Sequence, residues 1–355
     1  MFKSRTLFVV GAGASCEADL PSGEQLKGKI SSLLDIRFDY DAQQTGDHQI
    51  THALREAVQT PNGQRGDINP YLHKAWRIRD VVPAAAISID NFLDAHQGDA
   101  KMELCGKLGI VKSILLAEAA SKLRSVERGS SRFNLRGMGG TWYVGFFQML
   151  TENVSKNQLG ELFDNVAIIT FNYDRCIERF LVQALADYYE LTDEESQVLV
   201  SHLPIYHPYG QVGKLPWQQR RNGVPFGSSE TPLLELSREI KTFTEGLDDE
   251  ELIEGIHRQV ADAETIVFLG FAFHPSNMEL LTPRMQCSAK RIFATTYSLS
   301  DADEAVIVDD IWKMLGLQNM PFHERHAMEP EMAKLKCGDF FQHYFRSMSA
   351  PLADD

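Results

Sequence analysis

Residues 6 to 23 read TLFVVGAGASCEADLPSG, an apolar run that passes straight into glycines and small polar residues. A continuous apolar run with β-branched residues is the pattern of a strand buried on both faces of a parallel sheet. Glycines directly after it allow another group to approach the backbone closely. From Ser22, "SGEQLKGKISSLL" has the form of a helix, with Ser22 at the N-cap and Gln25 as its capping-box partner. Strand, glycine turn and helix in this order open an α/β fold.

Three more buried strands follow the same logic: "NVAIITFNYD" at 165–174, "TIVFLGFAF" at 265–273 and "RIFATTYS" at 291–298. A helix starts near "RCIERFLVQAL", and helical stretches separate the strands, which predicts a doubly wound, Rossmann-like parallel sheet built from residues 1–34 and 165–345. Residues 35–164 are read as a mainly helical insertion lying over the open edge of the sheet, and 346–355 as a C-terminal tail. Within the insertion, the polar segment from 35 to about 82, including "TPNGQRGDINP", predicts loops and short helices. Helical spacing is clearer in "SIDNFLDAHQ", which begins on a capping serine, in "KLGIVKSILLAEAASKLRS" and in "TWYVGFFQMLTENVS". The segment "HLPIYHPYGQVGKLPWQQRRNGVPFG" predicts loops and short strands, and the acidic "EGLDDEELIEG" a solvated face in or between helices.

The totals narrow the function classes. A 355-residue chain with 43% hydrophobic and 24% charged residues is an ordinary globular protein. A net charge of -14 argues against direct nucleic-acid or anionic-membrane binding, which needs a surplus of Lys and Arg. No apolar run approaches the roughly 20 residues that span a bilayer, and the N-terminus enters a strand and glycine turn instead of a signal core; the expected location is cytoplasmic. Five scattered cysteines without a Cys-x-x-Cys pair argue against a disulfide framework or a zinc ribbon.

Four motifs carry chemistry, each with a plainer reading beside it. Gly11, Gly13 and Ser15 follow the first strand, where free amides at a helix start favour an anion, but a structural tight turn accounts for the same residues. The dinucleotide fingerprint is broken, because Cys16 stands where a third glycine belongs. Asn172 and Asp174 sit two apart at a strand's carboxyl end, on one face if the strand persists; the alternative is a helix cap and a local turn. His207, in "IYHPYGQVG", is a proton carrier suited to neutral pH or an incidental loop histidine. In "FLGFAFHPSNMELL", Gly270 allows close approach, while His274, Ser276 and Asn277 supply polar groups, with Ser276 as a helix cap the alternative.

Taken in order, "GAGAS", "TFNYD", "HPYG" and "GFAFHPSN" resemble the motifs of the sirtuin family, especially its divergent bacterial branch of NAD-consuming defence proteins; "SIDNFLD" resembles a segment of that branch. The resemblance covers residues 6 to 300 discontinuously. It implies that Gly11, Ala12, Gly13 and Ser15 hold the diphosphate and adjoining ribose of NAD, and that Asn172 sits by the nicotinamide ribose and positions the attacking water. Asp174 would bind the nicotinamide carboxamide, and His207 would act as general base. Gly270 and Phe271 would line the adenosine half, with Asn277, Thr295 and Thr296 as weaker candidates. Deacylating members carry a four-cysteine zinc module and an arginine soon after the first turn; this chain has neither such cysteines nor that arginine, reading "LPSGEQL" there, which argues against deacylation and against a bound metal.

The implied activity is an NAD glycohydrolase that releases nicotinamide and ADP-ribose, with NAD as substrate, acting as an anti-phage effector that depletes NAD. Activity of that kind must be held off in a healthy cell, which implies homo-oligomerisation or a separately encoded partner, an ATPase or nucleotide sensor, as trigger. The alternatives are a non-catalytic NAD or ADP-ribose binding regulatory subunit, and an ADP-ribosyltransferase or residual deacylase; a dehydrogenase fits least.

Overall fold

The computed structural model describes residues 2–59, 66–125, 132–318, 320–321, 325 and 328–352; part of the expected loop at 60–70 and the end of the tail lie outside them. Six strands form one parallel sheet: β1 (Thr6–Val10), β4 (Val166–Thr170), β5 (Ile205–Tyr206), β6 (Thr265–Leu269), β7 (Arg291–Thr295) and β8 (Glu331–Ala333). Their spatial order is β5-β4-β1-β6-β7-β8. Counting only these six in chain order, that is 3-2-1-4-5-6, the doubly wound order of Rossmann-like sheets. A separate antiparallel hairpin, β2 (Arg37–Asp39) with β3 (Ala42–Thr45), lies in the insertion.

Alternation along β1 sorts the core into two layers. Leu7 and Val9 join the cluster of α2 (Gly23–Leu34), α4 (Asn69–Ala85), α6 (Ala100–Ala120) and α12 (Glu250–Asp262). Phe8 and Val10 join that of α7 (Trp142–Thr151), α8 (Cys176–Tyr189) and α15 (Cys337–Ser349). Every residue of β1, β4 and β6 is buried, as continuous apolar runs require.

The capping predictions hold: Ser22 and Gln25 form a reciprocal capping box on α2, and Ser88 caps α5 (Ile89–Asp94) through the Asn91 amide. The acidic stretch runs from the end of α11 (Phe243–Leu247) into the first turns of α12, with Asp249 as the cap of α12.

Three expectations are corrected. The insertion is not confined to a sheet edge, because α6 is apolar around most of its circumference and must be enclosed, so it sits inside one core layer while α7 sits in the other. The weakly periodic segment holds the 17-residue α4, which has a proline in its first turn and tolerates Pro83 close to its end. The tail expected from 346 continues α15 to Ser349. Among the described residues, no helix is long and apolar enough to cross a membrane.

Candidate functional site

In doubly wound sheets ligands gather where the strand order reverses, outside the carboxyl ends of the strands. Here that point lies between β1 and β6, and both ends carry glycine turns. The two turns pack against each other. The Gly11 amide donates to Leu269 O at 2.9 Å and the Gly13 amide to Gly270 O at 3.0 Å. A Cβ on Gly11 would lie 2.5 Å from Gly270 O, and one on Gly270, whose φ is +54°, would lie 2.2 Å from Ala14 N. The close approach read from the glycines is therefore present, and the group that approaches is the second glycine turn. Ala12 begins the one-turn helix α1 (Ala12–Ser15), and the Gly270 amide donates to Thr295 Oγ1 at 2.8 Å, which ties in the end of β7.

Asn172 joins these turns to β4. Its Nδ2 donates to Gly11 O at 3.0 Å and to Ser15 Oγ at 2.9 Å, and Ser15 is buried with it. Asp174 lies in the same buried group; its Oδ1 accepts the Cys176 amide, the first of α8, at 3.1 Å, while the N-cap position itself is Arg175. Burial pushes the Asp174 carboxyl above its ordinary range against the lowering effect of bonds from Cys176 and Ser15.

His207 lies on the other side of Asn172. Its Nδ1 is 3.2 Å from the Asn172 carbonyl oxygen, and its Nε2 is 3.2 Å from Glu178 Oε1. Burial alone would lower the imidazole pKa, but the hydrogen bond and charge of Glu178, helped by the Asn172 carbonyl and Asp174, outweigh it and raise the value above 6.5. An oxygen at each nitrogen favours the doubly protonated imidazolium over the neutral ring. To work as a base it must first give up the proton facing Glu178.

Aromatic residues roof the strand ends. Phe271 packs on Phe171, Phe268 and Phe273 at centroid distances of 5.1, 5.7 and 5.1 Å. Tyr209, two residues beyond His207, donates its hydroxyl to Asn277 Oδ1 at 2.5 Å. The Ser276 hydroxyl bonds His274 Nδ1 at 2.8 Å rather than capping its helix, whose N-cap is His274. Thr296 bonds Glu304 and takes no part.

The structure thus brings Gly11, Gly13, Ser15, Asn172, Asp174, His207 and Gly270 into one connected group, with Phe271 against it and Asn277 reached through Tyr209. Residues not predicted complete it. Glu178 pairs with His207; Tyr173 donates its hydroxyl to Asp90 of α5; and Arg175, fully buried, pairs with the fully buried Glu118 of α6. Trp142 of α7 donates its indole N–H to Ala14 O at 3.0 Å. Among the described residues, no group of three or more His, Cys, Asp or Glu could hold a metal ion.

Fold and strand-end group together define an α/β protein with a polar cluster at the switch point of a Rossmann-order sheet. Compared with protein-family models the chain matches none, and compared with curated proteins it matches none.

Proposed function

We propose that this chain is a sirtuin-like NAD glycohydrolase, with its reaction centred on Asn172 and His207. The observation that carries the reading is the chain of hydrogen bonds from Gly11 and Ser15 through Asn172 to His207, at the switch point where such folds bind nucleotides. The bond from C1′ of the ribose to the pyridinium nitrogen breaks, and its electron pair neutralises the departing nicotinamide. Water adds to the oxocarbenium-like carbon and loses a proton, giving ADP-ribose. Asn172 orients that water, His207 in its neutral form takes the proton, and Asp174, protonated or not, offers polar atoms to the carboxamide. Gly11, Ala12, Gly13 and Ser15 receive the diphosphate side, and Gly270, Phe271 and Asn277 border the adenosine side. No metal is needed, since nicotinamide leaves readily.

Gly11 and Gly13 already spend their amides on the Leu269 and Gly270 carbonyls, and both nitrogens of His207 already have oxygen partners. Substrate entry therefore requires the two glycine turns to part, which supports a resting form released by self-assembly or by a separate partner, here proposed as an ATPase or nucleotide-sensing protein of a phage-defence system in the cytoplasm. The same observation favours a second reading, a non-catalytic NAD or ADP-ribose binding subunit.

The test is purified protein incubated with NAD, its products separated by chromatography beside Asn172→Ala and His207→Ala. Nicotinamide and ADP-ribose from the wild type, with turnover about 10²- to 10⁴-fold lower in His207→Ala, support the hydrolase. NAD binding without cleavage in any assembly state selects the regulatory subunit.

A further inference from the structure

We propose that the cavity beside β5 is a second ligand site, shaped for a neutral, flat nitrogen heterocycle that carries a hydrogen-bond donor next to an acceptor. The cavity, of about 320 Å³, lies at the sheet edge and is lined by residues that include Glu178, His207, Gln211, Lys214, Trp217 and Gln218. That volume accepts one small ring system and is at the lower end for ligand pockets. Its floor is the His207–Glu178 pair, whose side chains are 10% and 2% exposed.

Four features specify the occupant. Gln211 Oε1 is buried and has no hydrogen-bond partner among the described residues, an unmatched acceptor that costs roughly 1–3 kcal/mol until the side chain turns to meet a donor. Gln218 Oε1 accepts the Leu215 amide at 2.9 Å, so its NH2 group is what it turns to a ligand, as a donor. Trp217, half-buried, supplies a flat apolar wall, and the exposed Lys214 disfavours a cationic ring. An acceptor, a donor and an aromatic plane match the carboxamide edge of free nicotinamide or the amidine edge of adenine, and the Lys214 ammonium argues against the pyridinium of intact NAD.

None of Gly11, Gly13, Ser15, Asn172 and Gly270 lines this cavity, which meets the strand-end group at His207 and Glu178. A ligand donating to Glu178 competes with the imidazole for that carboxylate. The consequence for turnover rests on the proposed hydrolase; the binding does not.

The experiment is calorimetric titration of the full chain, without NAD, using nicotinamide, adenine and cyclohexanecarboxamide as separate probes. Saturable binding of a flat probe but not of cyclohexanecarboxamide is expected, weakened tenfold or more by Gln211→Leu and by Trp217→Ala, with thermal melts confirming that both variants fold. In the wild type, only one of the four tryptophan indole N–H resonances, that of Trp217, should shift strongly with the ligand. Nicotinamide alone binding marks a product site, and adenine alone a site for an adenine-bearing effector. No saturation by any probe up to about 10 mM, or wild-type affinity in both variants, overturns the proposal. A protein that cleaves no NAD in any assembly state yet binds these probes refutes the hydrolase reading and leaves this one standing.

Discussion

Replacing Glu118 by leucine is the most discriminating perturbation of the fold. Glu118 Oε1 accepts from the Arg175 amide at 3.1 Å and from Arg175 Nε at 3.0 Å, while Oε2 accepts from Arg175 Nη2 and from the Gly227 amide at 2.9 Å. Both side chains are fully buried. The substitution leaves the Arg175 guanidinium with bonds to the Gly213, Val224 and Pro225 carbonyls from Nη1 and Nη2, but strips the Glu118 oxygens from Nε and Nη2 and leaves the charge uncompensated. Stranding one member of such a pair costs about 3–5 kcal/mol. At roughly 2 °C per kcal/mol, the figure for larger domains, the melting point should fall by about 6–10 °C. Removing both charges with Glu118→Leu and Arg175→Met should recover much of the loss, because the pair's own net contribution is small once its desolvation is counted. The assay is urea unfolding of the two single variants and the double variant, read as a double-mutant cycle. A single variant within about 1 kcal/mol of wild type, or a double variant as unstable as the sum of the singles, refutes the argument.

Other outcomes follow from individual contacts. Because His207 has a raised pKa, its contribution to stability is complete below the ordinary value of 6.5 and is lost as pH rises through the raised folded value. Glu178→Gln should therefore be most destabilising at about pH 6, with the gap to wild type closing at higher pH; a constant gap in melts across pH sinks this. If NAD is cleaved, the acid limb of the rate profile should move to lower pH in Glu178→Gln, since less alkali is then needed to free the base. Glu17 accepts both the Trp142 amide at 2.7 Å and the Gly338 amide at 2.8 Å, at the starts of α7 and α15, so Glu17→Ala should cost about 2 kcal/mol, one capping contact at each helix, as measured by urea unfolding. Gly270→Ala combines a positive φ with a Cβ 2.2 Å from Ala14 N, and should cost on the order of 2–5 kcal/mol; an unchanged melting point would show that the two turns do not hold each other.

Much of the sheet was legible because β1, β4, β6 and β7 are buried on both faces, so each leaves an uninterrupted apolar run. The two edge strands, Ile205–Tyr206 and Glu331–Ala333, hold too few residues to form a pattern. Local signals read truly: Ser22 and Gln25 meet within one turn, so their reciprocal cap is written in their spacing. Glu118 and Glu178 left no such mark. A glutamate in a helix ordinarily faces water, and their burial depends on Arg175 and His207, which the chain delivers from elsewhere. The glycines of the first turn announced a close contact without naming its partner, since a missing Cβ makes room equally for a ligand and for another backbone.

The same contacts decide what the helices of 35–164 do. Asp90 of α5 meets Tyr173, Glu118 of α6 meets Arg175, and Trp142 of α7 meets Ala14. Tyr173 and Arg175 flank Asp174, and Ala14 lies between Gly13 and Ser15, so each attachment lands beside a residue of the strand-end group. A packed interior transmits displacement rather than absorbing it. A shift of α6 carries Glu118, through Glu118 the fully buried Arg175, and through the backbone Asp174 and Asn172, whose amide holds Gly11 and Ser15. Parting the glycine turns therefore need not begin at the turns. Force applied to the outer surface of these helices has a covalent and hydrogen-bonded route of a few residues to Gly11, and on the proposed hydrolase reading this makes the insertion the part of the fold best placed to open the glycine turns.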